Sequence, residues 1–139
     1  ALIELAAGNV DAAEEAIVRA HELLFAVPPV RTWALATQAF VALAKGDAVA
    51  ARRALEESEA AIPTSGLIDD GAASYDLAWI ETELALGNRA EAVRRARIAV
   101  QRLDDRASRI TRPEYRESYQ TRVPENARVY ARGRELLEA

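Results

Sequence analysis

The sequence predicts an all-α fold: a superhelix of stacked antiparallel helix hairpins with a capping helix at its C-terminal end. The phrase Leu-Ala-x-Gly-Asn/Asp occurs at 5–9, 43–47 and 84–88, so its glycines are 38 and then 41 residues apart. Spacings of this length are typical of helical hairpin arrays. Half of the residues are hydrophobic but only 6% are aromatic. This composition favours helices that pack closely through small side chains.

Each glycine of the phrase is predicted to end one helix and open the turn to the next. Gly46 follows "TWALATQAFVALAK", which is apolar nearly all round, like a helix buried between neighbours. A residue without a Cβ adopts positive φ readily at a helix C-terminus. Asp47 is then placed to cap the following helix. Asn9 and Asn88 hold the same position in the other two copies.

Small and apolar residues recur at fixed positions around the three turns. Alanine lies five residues after each glycine, and a leucine and an alanine open each phrase. Small residues in a fixed column let two helices approach closely, so we expect the hairpins to stack through them. The columns are Ala13, Ala51 and Ala92; Leu5, Leu43 and Leu84; and Ala6, Ala44 and Ala85.

The predicted helices follow in order from these turns and from the prolines. The first helix ends near Ala7, and the second covers 11–26 until Pro28 and Pro29 stop it. Proline, glycine and acidic residues mark 63–71 as a loop. The later hairpins are predicted at 31–45 with 48–61 and at 72–86 with 89–110.

The helix predicted at 89–110 carries one apolar stripe, whose members recur every three or four residues. The stripe consists of Val93, Ala96, Val100, Leu103, Ala107 and Ile110. After this helix, Thr111 and Glu114 have the spacing of a capping box, and Pro113 suits a first helical turn.

A final helix is predicted to begin near Pro124 and to cover the last hairpin. Val129, Leu136 and Leu137 are placed to bury that hairpin's exposed face. A repeat array needs such a cap because its last repeat otherwise leaves apolar surface in water. We therefore divide the chain into helical repeats at 1–110 and a capping region at 111–139.

The turn phrase and the columns around it resemble the tetratricopeptide repeat family. The shared features are the glycine turn, the alanine five residues later and a small residue seven beyond that, which is Ala20, Ser58 or Ala99. Pro63 falls where the family often ends a repeat. Leu35 and Asp76 stand where the family has a large aromatic residue, with Trp33 and Trp79 nearby. The resemblance implies about three degenerate hairpins over 1–110, with loops longer than a period of about 34 residues allows.

The segment "YRESYQTRVPENARVYARGREL" is similar to the closing segment of helical-repeat regions in large bacterial signalling proteins. In those proteins the repeats follow ATPase, nucleotide-cyclase or kinase modules. No capping residue precedes "ALIELAA", which agrees with a piece cut from a longer chain. The resemblance implies a C-terminal region with one of two roles. It is either a scaffold that binds a protein segment or an intramolecular region that restrains an upstream catalytic domain.

The tetratricopeptide resemblance also implies a binding site, because the first helix of each hairpin lines a concave groove in that family. The groove binds peptides or helices, and its apolar middle part suits an amphipathic helix. The lysine and asparagine set that clamps a C-terminal carboxylate in some members is absent. In the alternative, Trp33 and Phe40 pack against Trp79 in the core. The implied groove residues are Trp33, Ala36 and Phe40 with Ser74, Leu77 and Glu81.

Arginines concentrate on the helix predicted at 89–110. Residues 1–88 hold 5 basic and 14 acidic side chains, whereas 89–116 hold nine arginines and four acidic residues. This face either binds an acidic protein, pairs with the acidic first 88 residues of this or a neighbouring molecule, or is solvated. The net charge of −4 and the lack of a recognition-helix motif argue against nucleic acid. The predicted basic face consists of Arg94, Arg95, Arg97 and Arg102.

No pattern of catalytic or metal-binding residues emerges. The chain has no cysteine, which excludes disulfides, thiolate zinc sites and cysteine nucleophiles. His21 is the only histidine, and adjacent helix positions such as Glu22 do not face the same site. The acidic residues at 56–59 and 69–70 lack the spacing of a calcium loop. With no phosphate-binding glycine loop or serine elbow either, we expect no enzyme and no cofactor.

The remaining expectations concern membranes and self-association. No run approaches the roughly 18 apolar residues of a membrane span, and no signal peptide opens the chain, which together predict a cytoplasmic protein. A truncated first hairpin leaves Leu2, Ile3 and Leu5 partly uncovered. An uncovered apolar edge of this kind predicts self-association.

Overall fold

Every element in the described part of the chain is an α-helix. The computed structural model describes residues 1–24, 27–65 and 71–138, and no strand occurs among them. The helices are α1 (Leu2–Ala6), α2 (Val10–Leu24), α3 (Pro28–Ala44), α4 (Ala48–Ser65), α5 (Ala72–Ala85), α6 (Arg89–Ala107), α7 (Pro113–Thr121) and α8 (Pro124–Leu137).

The helices pack as successive hairpins, which confirms the predicted all-α architecture. α1 pairs with α2, α3 with α4, and α5 with α6. α3 also contacts α2 and α5, so the middle hairpin lies between the other two. α8 packs against both α5 and α6, and the short α7 contacts α6 and α8. The last hairpin is therefore covered by α8, as predicted.

The three glycine turns share one backbone geometry. Gly8, Gly46 and Gly87 have φ values of 80°, 78° and 76°. In the middle turn the Gly46 N–H donates to Leu43 O at 2.9 Å, and the Asp47 N–H donates to Ala42 O at 2.9 Å. This pair of bonds is the Schellman motif, which satisfies the last carbonyls of a helix. The predicted role of the glycine is confirmed.

The residue after each glycine behaves differently in the three turns. Asp47 Oδ1 accepts a hydrogen bond from the Ala50 N–H at 2.8 Å, so the predicted cap is confirmed there. Asn88 is the N-cap of α6, as predicted, but neither its side chain nor that of Asn9 makes a capping bond. Their side-chain amides donate backward instead, to Glu4 Oε2 at 2.9 Å and to Glu83 Oε2 at 2.8 Å. A glutamate is a stronger acceptor than water for an amide that the Schellman turn brings close.

The alanine columns divide between the core and the surface. Ala13, Ala51 and Ala92 are fully buried, as the close approach of paired helices requires. The leucines of the phrase, Leu5, Leu43 and Leu84, are partly buried. The prediction for the third column is wrong, because its alanines are the last residues of α1, α3 and α5 and face outward. These exposed alanines are Ala6, Ala44 and Ala85.

Several predicted helix ends differ from the observed ones, and proline accounts for most of them. Pro28 begins α3 rather than only stopping α2, because a first-turn proline loses no hydrogen bond. Pro63 does not end a repeat, since α4 continues to Ser65. Of the predicted loop, 63–65 are helical and 66–70 lie outside the described residues. α6 ends at Ala107, three residues before the predicted end.

The predicted capping box of α7 is wrong by one residue. Arg112 is the N-cap and Pro113 is the first helical residue, with no side-chain capping bond. Thr111 therefore lies outside the helix, and Glu114 is one position too early to complete the box. The expected tolerance of Pro113 in the first turn is confirmed.

α8 lies very close to the last hairpin. Val129 and Leu136 are buried with Leu77 and Ile80 in one core cluster, as predicted. Leu137 is 37% exposed, so it does not take part in the expected cover. At Gly133 an added Cβ would lie 2.6 Å from Val100 Cγ2. Gly133 thus permits a helix contact that a side chain would obstruct.

Candidate functional site

The first helices of all three hairpins line one cleft, which we call the central cleft. Its volume is about 380 Å³. α8 forms the remaining wall, so the cleft combines repeat and cap. Its lining residues are Leu2, Leu5 and Ala6 of α1, Phe40 and Ala44 of α3, Ser74 and Leu77 of α5, and Glu125 and Arg128 of α8.

The floor of the central cleft is apolar and its α8 wall is charged. Leu5 and Phe40 are partly buried and offer carbon surface, whereas Leu77 is fully buried in the wall of the cleft. The Arg128 guanidinium lies 5.9 Å from the centroid of the Phe40 ring, within the range of a cation–π contact. Glu125 stands beside it on the same helix. The cleft therefore suits a partner with apolar side chains flanked by polar ones.

The structure separates the predicted groove residues. Phe40, Leu77 and Ser74 come together in the central cleft. Ala36 does not line it, because this alanine is fully buried in the core with Leu35. The sequence pattern of α3 could not show whether Ala36 faces the core or the groove, because the helix is apolar on nearly every face.

Trp33 also lies away from the central cleft, which corrects the predicted groove. It is 44% exposed and lines a separate apolar cavity at the N-terminal edge. Its ring covers Gly71, where an added Cβ would lie 3.1 Å from Cδ1. The alternative prediction holds for Phe40, which packs against the core cluster that contains Trp79.

Glu81, the last predicted groove residue, is held by α8. Arg132 donates to its two carboxylate oxygens at 2.9 and 2.8 Å. Arg128 lies 3.8 Å away from the same carboxylate. The bidentate pair fixes α8 on α5. The Glu81 carboxylate is therefore occupied by a partner in the same chain. The sequence gives no local signal for this pair, because its members lie 51 residues apart.

Two arginines of the predicted basic face are ion-paired with the acidic first 88 residues of the same chain. Arg95 donates to Glu59 at 2.9 Å and stacks over the Trp79 ring at 3.9 Å from its centroid. Arg102 donates to both oxygens of Asp76 at 2.8 and 2.7 Å. For these residues the intramolecular interpretation is confirmed.

The other two arginines of the predicted face are exposed. Arg94 donates to Glu91 within α6 at 2.7 and 2.5 Å. Its bonds and those of Arg95 lower the pKa of Glu91 to about 2. Arg97 makes no ion pair with any described residue. The four side chains therefore do not act together as one surface.

Asp76 is the most perturbed of these acidic partners. Its side chain is buried beside Arg102. Burial raises the pKa of Asp76 to about 6, although Arg102 opposes the shift. Its role here is to tie α5 to α6 through an ion pair.

A second cleft adjoins the first, and we call it the C-terminal cleft. Its volume is about 400 Å³, and it lies where α6, α7 and α8 meet. Asn126 is buried in its wall and donates to Tyr119 O at 2.9 Å. The sequence missed this site because the turns after α6 and α7 determine it. Its lining residues are Ala73, Arg106, Arg109, Tyr119, Val123, Glu125 and Asn126.

The N-terminal edge presents an apolar cavity of about 300 Å³. Ile3 is 84% exposed beside it, while Leu2 and Leu5 are partly buried. Leu2 and Leu5 are thus partly uncovered, as predicted, and Ile3 is largely exposed. Its lining residues are Ala1, Leu2, Ile3, Ile17, Ala20, Leu24, Val30, Trp33, Ala34 and Thr37.

The described residues bring together no metal-binding group. No cluster of three histidine, cysteine, aspartate or glutamate side chains is found among 1–24, 27–65 and 71–138. Glu56, Glu57 and Glu59 pair with separate arginines, Arg52, Arg31 and Arg95. Within these same segments, no helix has the length and apolar character to cross a membrane.

Comparisons with known proteins give no match. No family model matches the chain, and neither the curated proteins nor the solved structures yield a similar one.

Proposed function

We propose that this chain is a non-catalytic protein-interaction module of the tetratricopeptide type that binds a protein segment in the central cleft. One observation carries the proposal: helices from all three hairpins contribute to a single cleft with an apolar floor. A stacked array produces such a shared surface only when its first helices align. Binding pockets are typically concave, apolar and marked by a few polar groups, as this one is.

The lining of the central cleft supports a partner that inserts apolar side chains. Leu5 and Phe40 provide the carbon surface, while the small exposed side chains of Ala6 and Ala44 leave space beside them. An amphipathic helix or an extended peptide meets such a groove with anchors at regular spacing. A cleft of about 380 Å³ has room for a few anchoring side chains rather than a whole helix.

Binding should be lost when the cleft is filled by a charged side chain. We would select peptides against the purified chain from a random phage-displayed library and measure their affinity by fluorescence anisotropy. Ala44→Arg should weaken binding by about tenfold or more, because an unpaired charge pressed against an apolar anchor is costly. Ala44 is exposed at the end of α3, so the substitution leaves the core intact.

Ala85→Arg is the matched control, since Ala85 is the exposed last residue of α5 but does not line the cleft. It should bind the selected peptides like the unmodified chain. Equal binding by Ala44→Arg, or a library that yields no binder, would exclude the central cleft as a peptide site.

The regulatory alternative places the bound segment in the same long chain. It rests on the resemblance of 115–136 to the closing part of bacterial signalling proteins. A version of the protein extended upstream separates the two roles. Weaker peptide binding by the extended version than by residues 1–139 favours an internal segment in the cleft, whereas equal binding favours an external partner.

A further inference from the structure

The cavity of about 300 Å³ at the N-terminal edge, which we call the N-terminal cavity, is lined by α1, α2 and α3. Among its described lining residues only Thr37 has a polar side chain, and that hydroxyl already donates to Trp33 O at 3.1 Å. Ile3 and Trp33 are 84% and 44% exposed at this cavity. A polar ligand would lose its hydration here without gaining a side-chain hydrogen bond, so the N-terminal cavity favours an apolar surface.

Counted from the turn glycines, the α2 wall of the N-terminal cavity corresponds to a stripe of α4 in the middle hairpin. The equivalent pairs are Ile17 with Leu55, Ala20 with Ser58, and Leu24 with Ile62. The α4 stripe is covered, because Leu55 and Ser58 are fully buried and Ile62 packs against the core cluster that contains Leu55. The middle hairpin therefore shows what kind of surface fits the wall that α2 presents.

The first half of α3 covers the α4 stripe. Leu35, Ala36 and Ala39 lie in one core cluster with Leu55. One turn earlier, Ser58 Oγ donates to Thr32 O at 3.1 Å. Positions 32, 35, 36 and 39 have the spacing i, i+3, i+4, i+7, which is one face of a helix. α1 has 5 residues where α3 has 17, so in the described chain it covers only part of the α2 wall.

We propose that the N-terminal cavity docks an α-helix of a partner protein whose contact face resembles that of α3. This face carries a small or hydroxyl-bearing residue, a leucine and two alanines at i, i+3, i+4 and i+7. The partner helix lies on α2 and α3 as α3 lies on α4 and α5, and so continues an interface that the chain already forms. The contact side chains of one or two turns fill the cavity, and the rest of the helix covers Ile3 and Trp33.

A second copy of this chain cannot supply such a helix from its described residues. The contact face of α3, with Leu35, Ala36 and Ala39, is buried in its own hairpin. Leu77 and Ile80 of α5 are buried in the cluster that α8 covers. The helix therefore belongs to a different protein. Its site is separate from the central cleft, so this inference does not rest on the proposed function.

The probe is a fluorescein-labelled synthetic helix of about 18 residues, long enough to be partly helical alone. It carries Thr-x-x-Leu-Ala-x-x-Ala on one face and glutamate, lysine and glutamine elsewhere. A control peptide has the same composition and matched helicity by circular dichroism, but its four contact residues lie on different faces. Fluorescence anisotropy with the purified chain should show the probe binding at least tenfold more tightly than the control peptide.

Tryptophan emission gives a second readout that is specific for the site. The chain has two tryptophans, and neither peptide contains one. Trp79 is already buried, whereas Trp33 is 44% exposed. Measured with the unlabelled probe, a blue shift of the emission on binding therefore reports that the Trp33 ring has been covered.

Ala20→Phe should weaken probe binding about tenfold or more, because the larger ring fills the N-terminal cavity from its α2 wall. Ala12→Phe is the matched control, exposed on the same helix outside the cavity, and should bind like the unmodified chain. Ile3→Asp is an independent variant at an exposed position, where a misfolded core is not expected. It should also weaken the probe, because a charge would be pressed against an apolar helix face.

Equal binding of the probe and the control peptide would overturn the inference. Probe binding that neither Ala20→Phe nor Ile3→Asp weakens would do the same. Loss of probe binding in a version of the protein extended upstream also overturns it, because a segment of the same chain would then cover the cavity. Ala44→Arg should leave the probe unaffected, since Ala44 lines the central cleft and not this cavity. Failure here therefore leaves the proposed function in place.

Discussion

Asp76 shows at the scale of one residue how an ion pair can bind two helices without favouring the charged state. Its carboxylate is buried on α5 and receives two hydrogen bonds from Arg102 on α6. Burial nevertheless raises its pKa to about 6. Desolvation of a carboxylate often exceeds the gain from its partner in a low-dielectric interior. The pair therefore connects α5 to α6 while making stability depend on pH.

The sign of that dependence follows from the two pKa values. The folded-state pKa of about 6 exceeds the ordinary value of 3.8, so the folded state binds the proton more tightly. The contribution of Asp76 to the free energy of unfolding is then greatest below about pH 4, and it is lost as the pH rises through 6. Asp76→Asn should remove this slope, which amounts to about 2–3 kcal/mol across the window.

Urea unfolding at pH 4, 5, 6 and 7 measures the slope for both proteins. Asp105→Asn, at an exposed position of α6, provides the control and should keep the slope of the unmodified chain. Glu91 acts with the opposite sign between its lowered pKa of about 2 and its ordinary value of 4.5, and this effect cancels in the comparison because all three proteins contain Glu91. Parallel pH profiles for Asp76→Asn and the unmodified chain would contradict the assignment.

The residue-scale predictions succeeded where one local conformation is required. The positive φ at Gly46 and the full burial of Ala51 can each be inferred from a residue type that recurs at the same position of every repeat. The predicted side-chain capping bonds of Asn9 and Asn88 are not made, because their amides bond to glutamates instead. Only the folded turn brings Glu4 near Asn9 and Glu83 near Asn88.

α8 is the element that sets both the cap and the proposed binding surface. Val129 and Leu136 bury its apolar face against α5 and α6. Arg132 of this helix forms an ion pair with Glu81 of α5. Glu125 and Arg128, in its earlier turns, line the central cleft. The sequence indicated that this helix covers the last hairpin but not how it is rotated. Its docking angle depends on contacts with α5 and α6 that are distant in sequence.

The close contact at Gly133 gives a direct test of this docking. Gly133→Val should destabilise the protein by about 2 kcal/mol, because overpacking a tight helix contact typically costs 1–3 kcal/mol. An added Cβ would lie 2.6 Å from Val100 Cγ2, and a branched valine cannot turn away. Thermal or urea unfolding followed by circular dichroism measures the loss.

Ala131→Val is the matched control on the same helix, at an exposed position. It shares the low helix propensity of valine but meets no neighbour, so its cost should stay below about 1 kcal/mol. Equal destabilisation by the two variants would mean that α8 does not approach α6 as closely as described.

At the scale of the whole molecule, the two ends of the array differ. α8 covers the last hairpin, whereas the N-terminal edge leaves an apolar cavity of about 300 Å³ beside the exposed Ile3. The sequence predicted this contrast from the repeat pattern alone. It did not predict how the clefts are divided, because that depends on where α8 and Trp33 come to lie.

The open edge should drive self-association. Ile3→Asp should shift the chain toward monomer in sedimentation equilibrium, because a charge at the edge opposes burial of the cavity. Ile98→Asp is the control, since Ile98 is an exposed apolar residue on α6, away from the cavity. A monomeric unmodified chain at the highest concentration measured, or equal effects of both variants, would contradict the prediction.

The covered last hairpin also restricts the symmetry of any assembly. A stack with two open ends could add copies head to tail, and such heterologous contacts produce open filaments unless they close into a ring. Here α8 occupies the surface of α5 and α6 that a following copy would need. Two copies joined at their N-terminal edges would instead use the same patch twice, in an isologous contact with a two-fold axis. That association closes at a dimer and does not propagate.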